Sequence, residues 1–266
     1  MCNGSIMDKL ISFSLPLMLS GILQLMFNAV DIIVVGRFSG KQALAAVGST
    51  TALINVFTNL FIGISLGANV LAARFYAMGK SKEMSETVHT SITLAMVSGV
   101  IMAFVGVLFA RGALELMGTP DDVIDQSTLY MRIYFMGMPF FMLYNYGAAI
   151  LRAIGDTKRP LYCLILSGLI NAGLNLFLVI VFHLDVAGVA IATVISNVIS
   201  ASMVWYFLMK ENGPIRLSFR KLKISKTELK KTLRIGMPAG LQGMVFSIAN
   251  VCIQTALNGY GSDAVA

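Results

Sequence analysis

Leu233-Arg-Ile-Gly-Met-Pro-Ala-Gly-Leu241, followed by an apolar run to Leu257 and then Gly261-Ser-Asp-Ala-Val-Ala266, repeats the chain's own beginning. It lies over Ile11-Ser-Phe-Ser-Leu-Pro-Leu-Met-Leu19, a second apolar run and, with one residue of slippage, Gly40-Lys-Gln-Ala-Leu-Ala45, so that Pro16 and Pro238 superpose. A period of roughly 220 residues makes each copy a whole domain and not the unit of a small solenoid. The second copy has only begun at Ala266. The 266 residues are therefore expected to be a fragment of a protein of roughly 440, estimated by doubling the period.

Working outward from the repeat, composition sets the solvent. Apolar residues make up 57% of the chain and charged residues 12%, with a mean hydropathy of +0.79. A soluble domain carries about 25% charged residues. An all-α integral membrane protein follows. The net charge of +7 would point to nucleic acid in a soluble protein, but nine of the twenty Lys and Arg fall between Lys210 and Arg234, in one polar loop. That loop reads as a topology signal, and no nucleic-acid partner is expected. Cys2, Cys163 and Cys252 have no metal or disulfide spacing. A single Lys precedes the first apolar stretch and no small-residue cleavage site closes a short apolar region, so that stretch is expected to remain as a membrane helix.

A spanning helix needs roughly 20 apolar residues. Six such stretches precede the basic loop, at 10–36, 44–75, 89–116, 127–153, 161–182 and 186–208, and a seventh begins near Leu233. Turn and charge residues separate them, among them Gly79-Lys-Ser-Lys82 and Gly155-Asp-Thr-Lys-Arg-Pro160. Residues 1–209 are expected to form an N-terminal six-helix lobe, 210–232 a basic interlobe loop, and 233–266 the first helix of a C-terminal lobe. Counting Lys and Arg on alternate sides gives sixteen with the N-terminus and the basic loop, against four opposite. Cytoplasmic loops carry the excess, which puts the N-terminus in the cytoplasm. An even number of spans per repeat gives the two copies one orientation, about an axis along the membrane normal, which is a transporter design.

Polar groups at membrane depth are functional candidates by default. Asp31 is followed by Ile32-Ile33-Val34-Val35, about one turn of apolar helix before the outer end of its span. Asn171 and Asn175 stand four apart, on one face of the fifth span, and Thr193 lies in the sixth. At about 1.5 Å per residue, Asp31 sits about 7 Å, Asn175 about 9 Å and Thr193 about 10 Å below the outer ends of their helices. At one depth, a carboxylate, two amide oxygens and a hydroxyl suit a hard cation, or a carboxyl that holds a proton. The plainer alternatives are a carboxylate reaching the interface and asparagines that glue helices together. Gln24, Tyr144 and Asn145 are candidate cavity-lining, substrate-binding residues, with interface packing as the alternative. Gly63-Ile-Ser-Leu-Gly67 is a small-residue strip that lets helices approach. Pro16 and Pro139 are expected to kink their helices. Trp205 and Tyr206 fit a cytoplasmic aromatic belt. His89 and His183 flank loops and are expected to be solvated.

Taken together, Leu15-Pro16, Asp31 before Val34-Val35-Gly36-Arg37, Leu151-Arg-Ala-Ile-Gly-Asp-Thr-Lys-Arg-Pro160, the pair Asn171 and Asn175, and Ala187-Gly188 leading to Ala192-Thr193 resemble the multidrug and toxic compound extrusion (MATE) family over the whole chain. The resemblance implies one six-helix lobe, with a seventh helix, of a twelve-helix pseudo-twofold transporter in the bacterial plasma (inner) membrane. It implies an antiporter and no enzyme: inward flow of Na+ or H+ drives export of lipophilic, often cationic, drugs, with no cofactor beyond that ion. Asp31, Asn171, Asn175 and Thr193 match the family's cation site in the N-terminal lobe. Some members carry a second aspartate where Asn175 stands, which leaves sodium and proton both open. The partners implied are the lipid bilayer, small-molecule drugs and the missing C-terminal lobe. The nearest rival is a lipid-linked sugar or polysaccharide flippase of the same superfamily, which would be expected to line its cavity with several Arg or Lys. An intramembrane enzyme would need paired carboxylates, or a Ser with a His, at membrane depth.

Overall fold

The computed structural model describes residues 6–260; Cys2 and the repeated segment 261–266 lie outside them. Within that range the chain is all-helical, with no strand. The helices are α1 (Ile6–Phe38), α2 (Gly40–Ala77), α3 (Ser81–Leu116), α4 (Ile124–Met136), α5 (Met138–Ala153), α6 (Lys158–Leu176), α7 (Asp185–Lys210) and α8 (Lys226–Asn258). Among the described residues, six of these are long and apolar enough to cross a membrane, α6 being continued by the turn Phe177–Val181.

The fourth span is not one kinked helix. It breaks at Gly137 into α4 and α5, with Pro139 in the first turn of α5, where its missing N–H is among the groups a helix start leaves unpaired anyway. Pro16, in contrast, lies inside an unbroken α1, where the Ser20 hydroxyl donates back to its carbonyl at 2.8 Å. α8 starts at Lys226 and not near Leu233, because its polar first turns have a docking place. Glu228 is buried against α3, accepts from Lys231 at 2.7 Å and takes a longer contact of 3.4 Å from the Thr87 hydroxyl.

The surface is apolar where a soluble protein's would be polar. Leu15, Met18 and Leu25 on α1, Phe104 and Leu108 on α3 and Phe246 on α8 are all more than half exposed. A hydrocarbon solvent explains this distribution, since such patches on a soluble monomer would cause association. Inside, two apolar clusters stack along the bundle. One holds Val35, Ala46, Leu114, Phe135 and Val189, and the other Leu71, Phe75, Val88, Leu151 and Leu208. α3 packs on α4 and α5, α6 on α7, and α1 on α6.

The most extensive helix pair is α2 with α8. Gly63 and Gly67 on α2 meet Gly236 and Gly240 on α8, four residues apart on each helix. A Cβ at Gly63 would stand 2.2 Å from the Gly240 backbone, and one at Gly67 would stand 2.4 Å from the Thr232 carbonyl oxygen. The seam is therefore backbone on backbone, closed by Asn59, whose amide donates to the Ser247 hydroxyl at 2.7 Å. The strip at Gly63 was legible in the sequence; its partner on α8 was not.

His89 is a correction. It is 2% exposed and not solvated. Its Nδ1–H faces the Ser85 carbonyl at 2.7 Å, and its Nε2 accepts the backbone N–H of Ser218 at 3.1 Å, which fastens the α7–α8 connection to α3. His183 is exposed, with a left-handed φ of 51°.

Replacing Gly63 by Val forces α2 and α8 apart. The expected cost is about 1–3 kcal/mol, read as a lower thermal midpoint in detergent, whereas Gly21→Val on α1, where a Cβ meets nothing within 4 Å, leaves the midpoint unchanged.

Candidate functional site

The site begins with a close approach of α1 and α6. Gly168 has no side chain, and the Phe27 ring lies where one would stand: a Cβ there would be 2.0 Å from the ring. One helical turn beyond Phe27 comes Asp31, and one and two turns beyond Gly168 come Asn171 and Asn175. The ring in the glycine notch thus sets the register that puts a carboxylate opposite two amides.

Asn175 is fully buried and donates its amide N–H to the Asp31 carboxylate. The same Nδ2 lies 3.3 Å from Asn171 Oδ1, and Asn171 Nδ2 lies 3.5 Å from the Thr193 hydroxyl, which donates to the Val189 carbonyl at 3.0 Å. The four polar residues singled out in three spans therefore come together as one chain across α1, α6 and α7. The Asn175 Oδ1 is buried and has no hydrogen-bond partner, which is costly for a polar atom and leaves an acceptor beside the carboxylate. Immediately after Asn175 the helix loosens into the π turn Phe177–Val181, a distortion often found at functional sites.

Two further residues belong to this neighbourhood. Tyr130 and Tyr134 on α4, with ring centroids 6.1 Å apart, pack in the same apolar cluster as Val30 and Val34, close to Asp31 along α1. Their four-residue spacing put them on one face, but nothing in the sequence said which helix that face meets.

The candidate substrate residues do not gather. Tyr144 is 8% exposed and its hydroxyl donates to the Pro160 carbonyl at 3.3 Å, so it packs α5 on the start of α6. Asn145 is half-buried and donates to the Phe141 carbonyl of its own helix at 2.8 Å, and Gln24 is exposed on α1. A cleft of about 500 Å³ opens elsewhere, between α1, α2, α5 and α8, lined by Phe13, Leu17, Asn59, Leu66, Asn69 and Arg152 among others. Its floor is fixed by Asn69, which donates to the Ala149 carbonyl at 2.6 Å. Phe13 and Leu17 flank Pro16 in sequence, so any change in α1 at the proline alters one wall of the cleft.

The comparisons agree with this architecture. The MatE family model matches residues 16–177. The chain is 35% identical over 261 residues to the probable multidrug resistance protein YoeA of Bacillus subtilis (strain 168), covering 96% of this chain and 56% of that protein. It is 26% identical to the multidrug export protein MepA of Staphylococcus haemolyticus (strain JCSC1435), covering 99% of this chain and 58% of that one. A crystal structure of MATE in the bent conformation superposes with a TM-score of 0.86 at 25% identity, covering 93% of this chain and 55% of the other. The chain thus spans a little over half the length of the curated relatives it matches.

Substituting Leu for Asn175 strands the Asp31 carboxylate without its donor. The expected loss is about 1.5–3 kcal/mol of stability, the range for a hydrogen bond to a charged group. In an Asp31→Asn background the same substitution should cost less, and a double-mutant cycle on thermal midpoints in detergent measures the difference.

Proposed function

The chain belongs to the MatE family, and from that premise we propose that it forms the N-terminal lobe of a cation-coupled antiporter that exports lipophilic, often cationic, drugs by alternating access. Members of this family are transporters and not enzymes, and the chain's apolar helices make it a multi-pass membrane protein. The reading of a coupling ion rests on one observation: a carboxylate, Asp31, on a spanning helix, held by an amide donor beside an unsatisfied amide oxygen.

A lone charge in a low-dielectric interior must be balanced. Asp31 has no basic partner among the described residues, so the balancing charge comes from outside: a proton on the carboxylate, or a sodium ion shared by Asp31, the Asn175 Oδ1, Asn171 and Thr193. Asn175 supplies oxygen without charge, so one monovalent cation neutralises the site. An ion shifts a conformational equilibrium by its differential affinity for the two states. Loading ties α1 to α6 and α7, and unloading leaves the carboxylate to seek water, which favours a different placement of α1. Because α1 carries both Asp31 and the Pro16 wall of the cleft, the ion and the drug act on one helix. The partner is a second lobe of the same chain, supported by the internal repeat and by relatives of nearly twice the length. The excess of Lys and Arg supports a cytoplasmic N-terminus in the bacterial inner membrane.

A second reading, a flippase for lipid-linked sugars, is favoured by Arg152, the single charged residue among those lining the cleft. Ethidium efflux from energised cells separates the two, using the chain joined to its second lobe and sodium present or replaced by potassium. Wild type should expel the dye, and Asp31→Asn should fall to the level of cells lacking the protein. Loss on sodium removal names sodium; efflux that survives it and stops with a protonophore names the proton. Equal efflux in the mutant sinks the role of Asp31, and no dye movement by well-expressed wild type turns the reading to the flippase.

A further inference from the structure

One large cavity of the described molecule lies outside the membrane interior. It measures about 840 Å³ and lies at the basic end of the bundle, between the first turns of α3 and the connection from α7 to α8. Five cations line it: Lys82, Arg216, Arg220, Lys221 and Lys223. None of them makes an ion pair among the described residues, and Glu86 is the single acid on the wall. Five unpaired positive charges around one concavity repel one another, and an anion removes that cost.

The wall is built and held in place. The backbone N–H of Ser218 is bound by the buried His89 ring at 3.1 Å, and that of Ser225 by the buried Thr90 hydroxyl at 3.0 Å. Between these anchors the Phe219 ring rests on Trp205, centroids 5.1 Å apart, so the segment carrying Arg220, Lys221 and Lys223 is pinned at three points. A fixed backbone lowers the ordering cost of binding. Ser85 and the positive end of the α3 dipole add hydroxyl and N–H donors on the facing side.

Trp205 and Tyr206 mark the depth at which amphipathic rings sit in a bilayer, the level of the headgroups. Stacking of Phe219 on Trp205 holds the neighbouring cations at that level. We propose that this cavity is a binding site for a phosphate-bearing anion, filled from the membrane by the headgroup of an acidic phospholipid. The volume accommodates a phosphodiester with its glycerol, and Arg216 and Arg220 are the side chains whose planar forks match phosphate oxygens. The site is independent of Asp31 and of the drug cleft.

Native mass spectrometry of the detergent-solubilised chain tests this, with phosphatidylglycerol, phosphatidylcholine and inorganic pyrophosphate as separate probes. The cavity variant combines Arg216→Gln, Arg220→Gln and Lys221→Gln; the control combines Lys226→Gln, Lys230→Gln and Arg234→Gln, an equal loss of charge on residues that do not line the cavity. Phosphatidylglycerol should bind wild type in preference to phosphatidylcholine. The cavity variant should weaken that binding roughly tenfold and the control less than about twofold. Glu86→Gln should tighten it, a gain that misfolding does not imitate. Pyrophosphate binding that the cavity variant loses, without any preference for phosphatidylglycerol, upholds the anion site and assigns it to free phosphate compounds. No anion preference in wild type, or equal losses in both triple variants, overturns the proposal.

Discussion

In hydrocarbon there is no hydrophobic effect to press helices together, so a bundle coheres only where its backbones come close enough for dense packing and for hydrogen bonds between helices. Everything else in this molecule depends on that closeness. Gly63 and Gly67 admit Gly236 and Gly240, Gly99 admits the Pro139 backbone, and Gly168 admits the Phe27 ring. At each place a single methyl group would overlap its neighbour. Short polar side chains then work across the gaps the glycines leave narrow: Asn59 to Ser247, and Ser49 to Ser127 at 3.1 Å.

The proposed cation site would be a product of the same geometry. Asp31 reaches Asn175 because α1 lies against α6, and α1 does so because Phe27 fits over Gly168. Charge and packing are thereby coupled. A carboxylate with one donor, beside an amide oxygen with none, is tolerable in a membrane when a cation joins them and strained when it leaves. On the proposed reading, this is how an ion would be coupled to a helix without a second carboxylate.

Depth and face could be read from the sequence; azimuth could not. Six of the seven expected spans followed from apolar length, the fourth being split into α4 and α5, and the set Asp31, Asn171, Asn175 and Thr193 followed from matching heights along their helices and from the family resemblance. Whether those faces met depended on helix rotation, which the Phe27–Gly168 contact fixes and which no spacing encodes. The same gap hid Tyr130 and Tyr134. For Tyr144 the sequence leaves cavity lining and interface packing both open, because the partner that decides between them, the Pro160 carbonyl, is a backbone group invisible to residue patterns. His89 was misplaced for a similar reason: its ring is satisfied by a backbone N–H 129 positions away. The break at Gly137 was obscured because apolar character runs through it without a gap, and the early start of α8 because its first turns are charged and find their place only by docking.

The connection between α7 and α8 reads in the sequence as a tether, polar and basic, of the kind that joins two halves while letting them move. Pinned by His89, Thr90 and Trp205, it is a strut. α8, the opening helix of the second repeat, is bolted at its base to α3 through Glu228 and along its length to α2 through glycines. Genetic and mechanical boundaries therefore fall in different places. The sequence repeat opens after the loop, whereas close packing continues along α8 to Asn258, whose amide donates to the Met117 carbonyl at 3.0 Å, so the rocking of the proposed mechanism would have to pivot beyond it.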